Sequence, residues 1–81
     1  MSNLIEAVIG RLYKYMDERK LTLYRLSIIS GVPFATVKSL FQRQTKGIEL
    51  KTVLMFVQGL KVTPSEFFDD PAFSAENLLL E

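Results

Sequence analysis

The run LTLYRLSIISGVPFATVKSLF, Leu21 to Phe41, decides how this chain is read. Thr22 offers the side-chain oxygen that a helix N-terminus needs. Leu26 and Ile29 follow at helical spacing, so a short helix is predicted over Leu23–Ser30. Gly31 ends it, as glycine does where the chain turns left-handed after a helix. Val32 then points back to the core. Pro33 restarts a helix at a first-turn position, where a missing amide costs nothing. The next helix, about Phe34 to Gln42, buries Val37 and Leu40, with Phe41 as a further inward candidate. Two such helices joined across a glycine turn stand at roughly 90 to 120° to each other, so the second projects its outer face. By 3.6 periodicity that face carries Phe34, Ala35, Lys38, Ser39 and Gln42.

Outward from this unit the spacing stays helical. Leu4, Ile5, Val8, Ile9, Leu12, Tyr15 and Met16 form one face of an amphipathic helix over Leu4 to Arg19, opened by a capping box of Asn3 and Glu6. Arg43 to Ile48 is polar, contains Gly47 and reads as a loop. Leu50, Val53, Leu54, Val57 and Leu60 mark a fourth helix, about Glu49 to Leu60. Thr63-Pro64-Ser65-Glu66 combines a cap, proline at the first position and glutamate at the third, which starts a fifth. Phe67 and Phe68 close the core. No segment alternates polar and apolar residues over a strand's length, so the expected fold is all-α, a five-helix bundle. Residues 1–70 form that domain. Residues 71–81 form an apolar tail with room for a short sixth helix. Phe73, Leu78, Leu79 and Leu80 are too apolar for a solvated end. Either the tail packs on the first helix, or it meets a second copy or another protein.

Composition narrows the function. At 81 residues, 48% of them apolar with six Phe and three Tyr, the chain suits one ordered domain. Without Cys or His it lacks a thiolate nucleophile, the usual general base and the commonest metal ligands, and it has no glycine-rich phosphate loop. An enzyme is therefore not expected, nor a metal or cofactor. No apolar run of about 18 residues and no basic-then-apolar leader is present, so a cytoplasmic protein without a membrane association is expected. Asp69-Asp70 reads as a helix end, and Tyr13, Tyr15 and Tyr24 as core or rim packing rather than a single-strand stacking surface. The formal net charge is only +1. Its distribution is uneven: Arg19 to Lys51 holds seven cations against Glu49 alone, a net +6, while the remainder carries −5. A cationic segment in an acidic frame fits a polyanionic partner, and equally an ordinary solvated surface.

Thr22 to Phe68 resembles the phage-repressor/Cro-type helix-turn-helix family, the xenobiotic-response-element regulators. LTLYRLSIISGVPFATVKSLF has the family's rhythm of Leu, capping Thr, inward Leu, Gly-Val, then Thr-Val in the recognition helix. LKTVLMFVQGLKVTPSEFF is similar to its fourth and fifth helices, and Arg11 to Lys20 to the end of its first. The resemblance implies a repressor-like bundle on double-stranded DNA, with the recognition helix in the major groove. It implies base contacts by Phe34, Ala35, Thr36 and Ser39, and phosphate contacts by Thr22, Leu23, Lys38, Arg43 and Lys46, with Lys38 also within reach of bases. A homodimer on near-palindromic sites is implied as well. Three departures stand out. Leu23 replaces a frequent Gln, Phe41 a common Glu, and Arg43 a usual Gly before a loop one residue longer.

The expected function is sequence-specific duplex binding in transcriptional regulation, as a repressor. The alternative is an antitoxin or anti-regulator that engages a protein partner through its apolar tail. Phe34 and Ala35 meet a thymine methyl but offer guanine no donor. Phe34 also has a structural option, folding over Leu23 or Tyr24. Arg25 either contacts phosphate or pairs with an acid of the first helix.

Overall fold

The computed structural model describes residues 2–80; Met1 and Glu81, the outermost residues of the 1–70 domain and the 71–81 tail, lie outside the described residues. Five α-helices follow one another: α1 (Leu4–Arg19), α2 (Leu23–Ser30), α3 (Phe34–Phe41), α4 (Leu50–Leu60) and α5 (Pro64–Phe67). A 3-10 turn (Pro71–Phe73) succeeds them. One pairing was not anticipated: the two-residue strands β1 (Ser2–Asn3) and β2 (Leu78–Leu79) lie parallel, Ser2 opposite Leu78 and Asn3 opposite Leu79. Such short strands carry no alternation signal, because the pairing arises only once the two ends meet.

Three helix starts follow from their caps. Asn3, Thr22 and Thr63 are extended, and each accepts from the amide three residues on, at 2.9, 3.0 and 3.0 Å. α3 and α4 start without a side-chain cap bond. Pro33 stands one place earlier than expected, as the cap, its carbonyl accepting from Thr36 and Val37. Gln42 and Glu49 fall just outside α3 and α4 as their caps. Gly31 has φ +76°, the left-handed turn that separates α2 from α3.

The core gathers Ile9, Leu12 and Tyr15 of α1, Leu26 of α2, Val37 of α3, Phe56 and Leu60 of α4 and Phe67 of α5, all buried. Fully burying each such side chain contributes about 1.5–3 kcal/mol. α2 packs against both α3 and α4. Its approach to α4 is set by Gly59: a Cβ there would lie 2.5 Å from the Ile29 carbonyl oxygen and 2.6 Å from Ser30 Cα. Phe41, which stands where Glu is common in the resembling family, is buried and meets the Tyr13 ring edge-on at 5.1 Å. Leu50 is 65% exposed, so it is not part of the inward stripe of α4.

The tail returns to its own domain. Asp70 accepts from the Ala72 amide and starts the 3-10 turn, which brings Phe73 within 5.1 Å of the Phe68 ring and 6.2 Å of the Phe67 ring. The turn and β2 both contact α1. Leu79 and Leu80 remain exposed, at 49% and 74%.

Two arginines of α1 fasten other helices. The Arg11 side chain is buried and donates through Nε to the Phe67 carbonyl at 2.7 Å and through Nη2 to the Glu66 carbonyl at 2.7 Å and the Tyr15 hydroxyl at 3.2 Å. Its other nitrogen lies 3.6 Å from Asp70. The guanidinium fork supplies the Phe67 carbonyl at the helix end with a donor and adds a second to the Glu66 carbonyl, which also accepts from the Asp69 amide at 3.2 Å. Arg19 donates in the same way to the Leu60 carbonyl at the end of α4. The Tyr15 hydroxyl donates to Glu66 at 2.8 Å, and burial together with that bond raises its pKa above 10.0.

Candidate nucleic-acid interface

The outward face of α3 starts with four exposed residues, Phe34, Ala35, Thr36 and Lys38, with Ser39 half-buried behind them. Val37 and Leu40 are anchored in the core, which fixes the helix rotation and therefore which residues face out. Phe34, Ala35, Lys38 and Ser39 border one shallow depression with Gln42 and Gln44. Thr36 is separated from them. It borders the groove between α3 and the following loop, with Leu40, Thr45 and Ile48.

Phe34 is held in place. Its ring meets the Tyr24 ring edge-on at 5.6 Å, and Lys38 Nζ lies over its face 5.7 Å from the centroid. It is still 39% exposed, and Tyr24 is 60% exposed. The two options for Phe34 are thus combined: it packs on Tyr24 while keeping an outer edge free. The sequence offered Tyr24 as core or rim packing and as one of two residues, with Leu23, for Phe34 to fold over. The turn at Gly31 brings the Tyr24 and Phe34 rings, ten residues apart, together.

The residues expected to grip phosphate are spread around this face. Thr22 is exposed, and its hydroxyl oxygen is engaged in capping α2. Leu23 is half-buried against the core, so only its backbone stands at the helix N-terminus. Arg43 has φ +57°, the left-handed conformation for which the resembling family uses glycine, and the Arg43 and Gln44 amides close the end of α3 on the Leu40 and Ser39 carbonyls. Its side chain turns toward α1: Nε and Nη2 donate to the two Glu6 carboxylate oxygens at 2.8 and 3.0 Å, and Nη1 to the Phe41 carbonyl at 2.7 Å. The hydrogen bond from Arg43 holds the Glu6 carboxyl below its ordinary value of 4.5. Lys46 is exposed and borders the same hollow as Asn3, Glu6 and Arg43.

The cationic segment is therefore divided by function. Arg19 and Arg43 are engaged in intramolecular bonds. Arg25, Lys38, Lys46 and Lys51 are exposed and form no ion pair among the described residues. Of the two options for Arg25, pairing with an acid of α1 is not the one found. From Lys20 to Ile48 the sequence contains no Asp or Glu, so Arg25 and Lys38 have no acidic neighbour along their own helices. Among the described residues, no helix is long and apolar enough to cross a membrane.

A short helix with its outer face open, seated beside a second helix across a glycine turn and flanked by unpaired cations, has the dimensions and charge to dock in a major groove. Comparison with known proteins agrees with that geometry. Residues 11–72 match the model of the Cro/C1-type helix-turn-helix DNA-binding domain. No curated protein and no solved structure matches the chain. The matched span takes in everything from the Arg11 anchor to the start of the 3-10 turn, and the chain belongs to the Cro/C1-type helix-turn-helix family of DNA-binding transcription regulators.

Proposed function

We propose that this protein is a sequence-specific repressor that occupies an operator as a homodimer, with α3 in the major groove, and that it performs no chemistry and needs no cofactor. The observation that carries this reading is the open α3 face, Phe34 to Gln42, bordered by cations that form no ion pair among the described residues, on a Cro/C1-type domain. The Arg25, Lys38 and Lys46 side chains supply phosphate affinity, and the first turn of α3 supplies the choice of sequence. Occupying an operator is the simplest regulatory act open to a domain of this kind.

Selection of bound duplexes from a random pool, followed by titration against salt, tests it. The selected sites should share a half-site repeated about 34 Å, one helical turn, apart. The logarithm of affinity should fall linearly with the logarithm of salt, by about 0.9 per phosphate neutralised. Absence of any enriched sequence would remove the operator reading, and a single unrepeated half-site would remove the homodimer.

The exposed Leu79 and Leu80 favour one further reading, in which the tail end engages a protein partner as an antitoxin or anti-regulator does. Replacing both by Ser should leave duplex affinity unchanged if the partner is a separate protein. Affinity should fall together with dimer content in sedimentation if the tail joins two copies of the chain.

A further inference from the structure

Base edges in the major groove present hydrogen-bond donors and acceptors at every pair, and one apolar group, the C5-methyl of a pyrimidine. The reading end of α3 is matched to the latter. Phe34 and Ala35, its first two residues, are exposed and apolar. The long polar side chain beside them, Lys38, has its ammonium over the Phe34 ring at 5.7 Å, where it supports that ring and points along the helix surface. Tyr24 supports the opposite flank edge-on at 5.6 Å. Phe34 therefore presents a fixed hydrophobic edge, with the rotamer entropy that a flexible anchor would lose on binding already removed. Setting such an edge against a cytosine amine or a bare C5–H leaves polar groups desolvated or a gap unfilled, whereas a methyl fills it. The surrounding cations, Arg25 and Lys38, with no acid between Lys20 and Ile48, identify the occupant as a polyanion rather than an apolar protein surface.

We propose that the Phe34–Ala35 edge, braced by Tyr24 and Lys38, selects duplexes by the C5-methyl of a pyrimidine. The inference rests on the sequence-specific reading above and names the chemical group it recognises. Thymine and 5-methylcytosine present the same methyl. Tyr24 is here a positioning residue: it holds Phe34, and Phe34 meets the base.

The test uses the full chain and the duplex enriched by selection. Each thymine is replaced in turn by deoxyuridine, which removes the methyl and keeps every hydrogen-bonding group, and each cytosine by 5-methylcytosine. At one or two half-site positions the thymine-to-uracil change should weaken binding about fourfold, the equivalent of about 0.8 kcal/mol for one buried methyl. If the natural source is 5-methylcytosine, methylation at such a position should instead raise affinity by the same factor. Phe34→Ala should bring the methyl-to-unmethylated ratio to about one, and a ratio that stays near four in this variant overturns the assignment to Phe34. Phe34→Leu should restore part of the ratio. Tyr24→Ala should reduce the ratio without changing unrelated-duplex affinity, which a merely structural role would not do. An enriched duplex indifferent to every uracil and methylcytosine replacement overturns the methyl inference and leaves operator binding standing. If no sequence is enriched at all, both fall.

Discussion

The end of the molecule where α1 meets α5 and the face where α2 meets α3 use the same kinds of side chain to opposite ends. At the first, an arginine is buried and its donors are engaged by two helix-end carbonyls, a tyrosine and an aspartate. Two aromatic rings, Tyr15 and Phe67, stack there at 6.2 Å inside the core. At the second, Arg25 and Lys38 are exposed and form no ion pair among the described residues, and the Tyr24 and Phe34 rings meet edge-on with Lys38 over Phe34. A charge engaged in folding is unavailable to a ligand, and a charge left open adds little to stability. The α1–α5 junction is where this chain secures its fold. The α2–α3 face leaves its charges and rings open to solvent, as the proposed DNA contact requires.

The largest effect should come from Arg11→Met. Losing the guanidinium leaves the buried Phe67 carbonyl without its partner and the Glu66 carbonyl with the Asp69 amide alone, at a cost of about 3 kcal/mol by urea unfolding. A loss under about 1 kcal/mol would mean that water replaces it and that the junction is not the fold's anchor. Next comes Gly59→Ala, which presses a methyl into the α2 backbone and should cost about 2 kcal/mol. Gly10→Ala, on the open side of α1 with nothing within 4 Å of the added carbon, should instead stabilise by about 0.5–1 kcal/mol. Equal effects from the two glycines would contradict the tight α2–α4 crossing.

On the other face, Arg25→Ala and Lys46→Ala should each leave unfolding free energy within about 0.5 kcal/mol of the parent. Each should lower the salt slope of duplex binding by about 0.9. If either destabilised the protein instead, the contrast between engaged and open cations would fail there. The smallest effect belongs to Glu6. Arg43 depresses its pKa, so the stability the pair provides is present above the ordinary value of 4.5 and is lost as pH falls through the lower folded-state value. Glu6→Gln should flatten the acid limb of the stability curve in that window, with little change at pH 7 because both side chains are exposed to solvent. It should also free Arg43, and duplex affinity should rise if Arg43 then reaches phosphate.

Most of the helical plan was legible because its signals are local. α1, α2 and α5 begin where Asn3, Thr22 and Thr63 said they would, since a capping oxygen and the amide it binds are three residues apart. Gly31 and Val32 behave as expected for the same reason. The limits of α3 and α4, which lack side-chain caps, shifted by one residue. Leu50 was misplaced because helical periodicity gives a face but not where the neighbouring element stops covering it. The outward face of α3 was legible too, since burying Val37 and Leu40 leaves only one set of residues outside.

What the sequence determined by itself was the helix order, the glycine turn and the outward register of α3, all set by backbone conformation and by spacings shorter than two turns. Only the tertiary structure decided which cations remain open, because Arg11, Arg19 and Arg43 find most of their partners 37 to 59 residues away; only the Arg11 bond to Tyr15 and the Arg43 bond to Phe41 are local. It also decided that the tail folds back through Phe73 onto the Phe67–Phe68 pair, and that β2 meets β1. Side-chain charge is written in the sequence. Whether that charge is engaged depends on which distant backbone groups folding brings within reach.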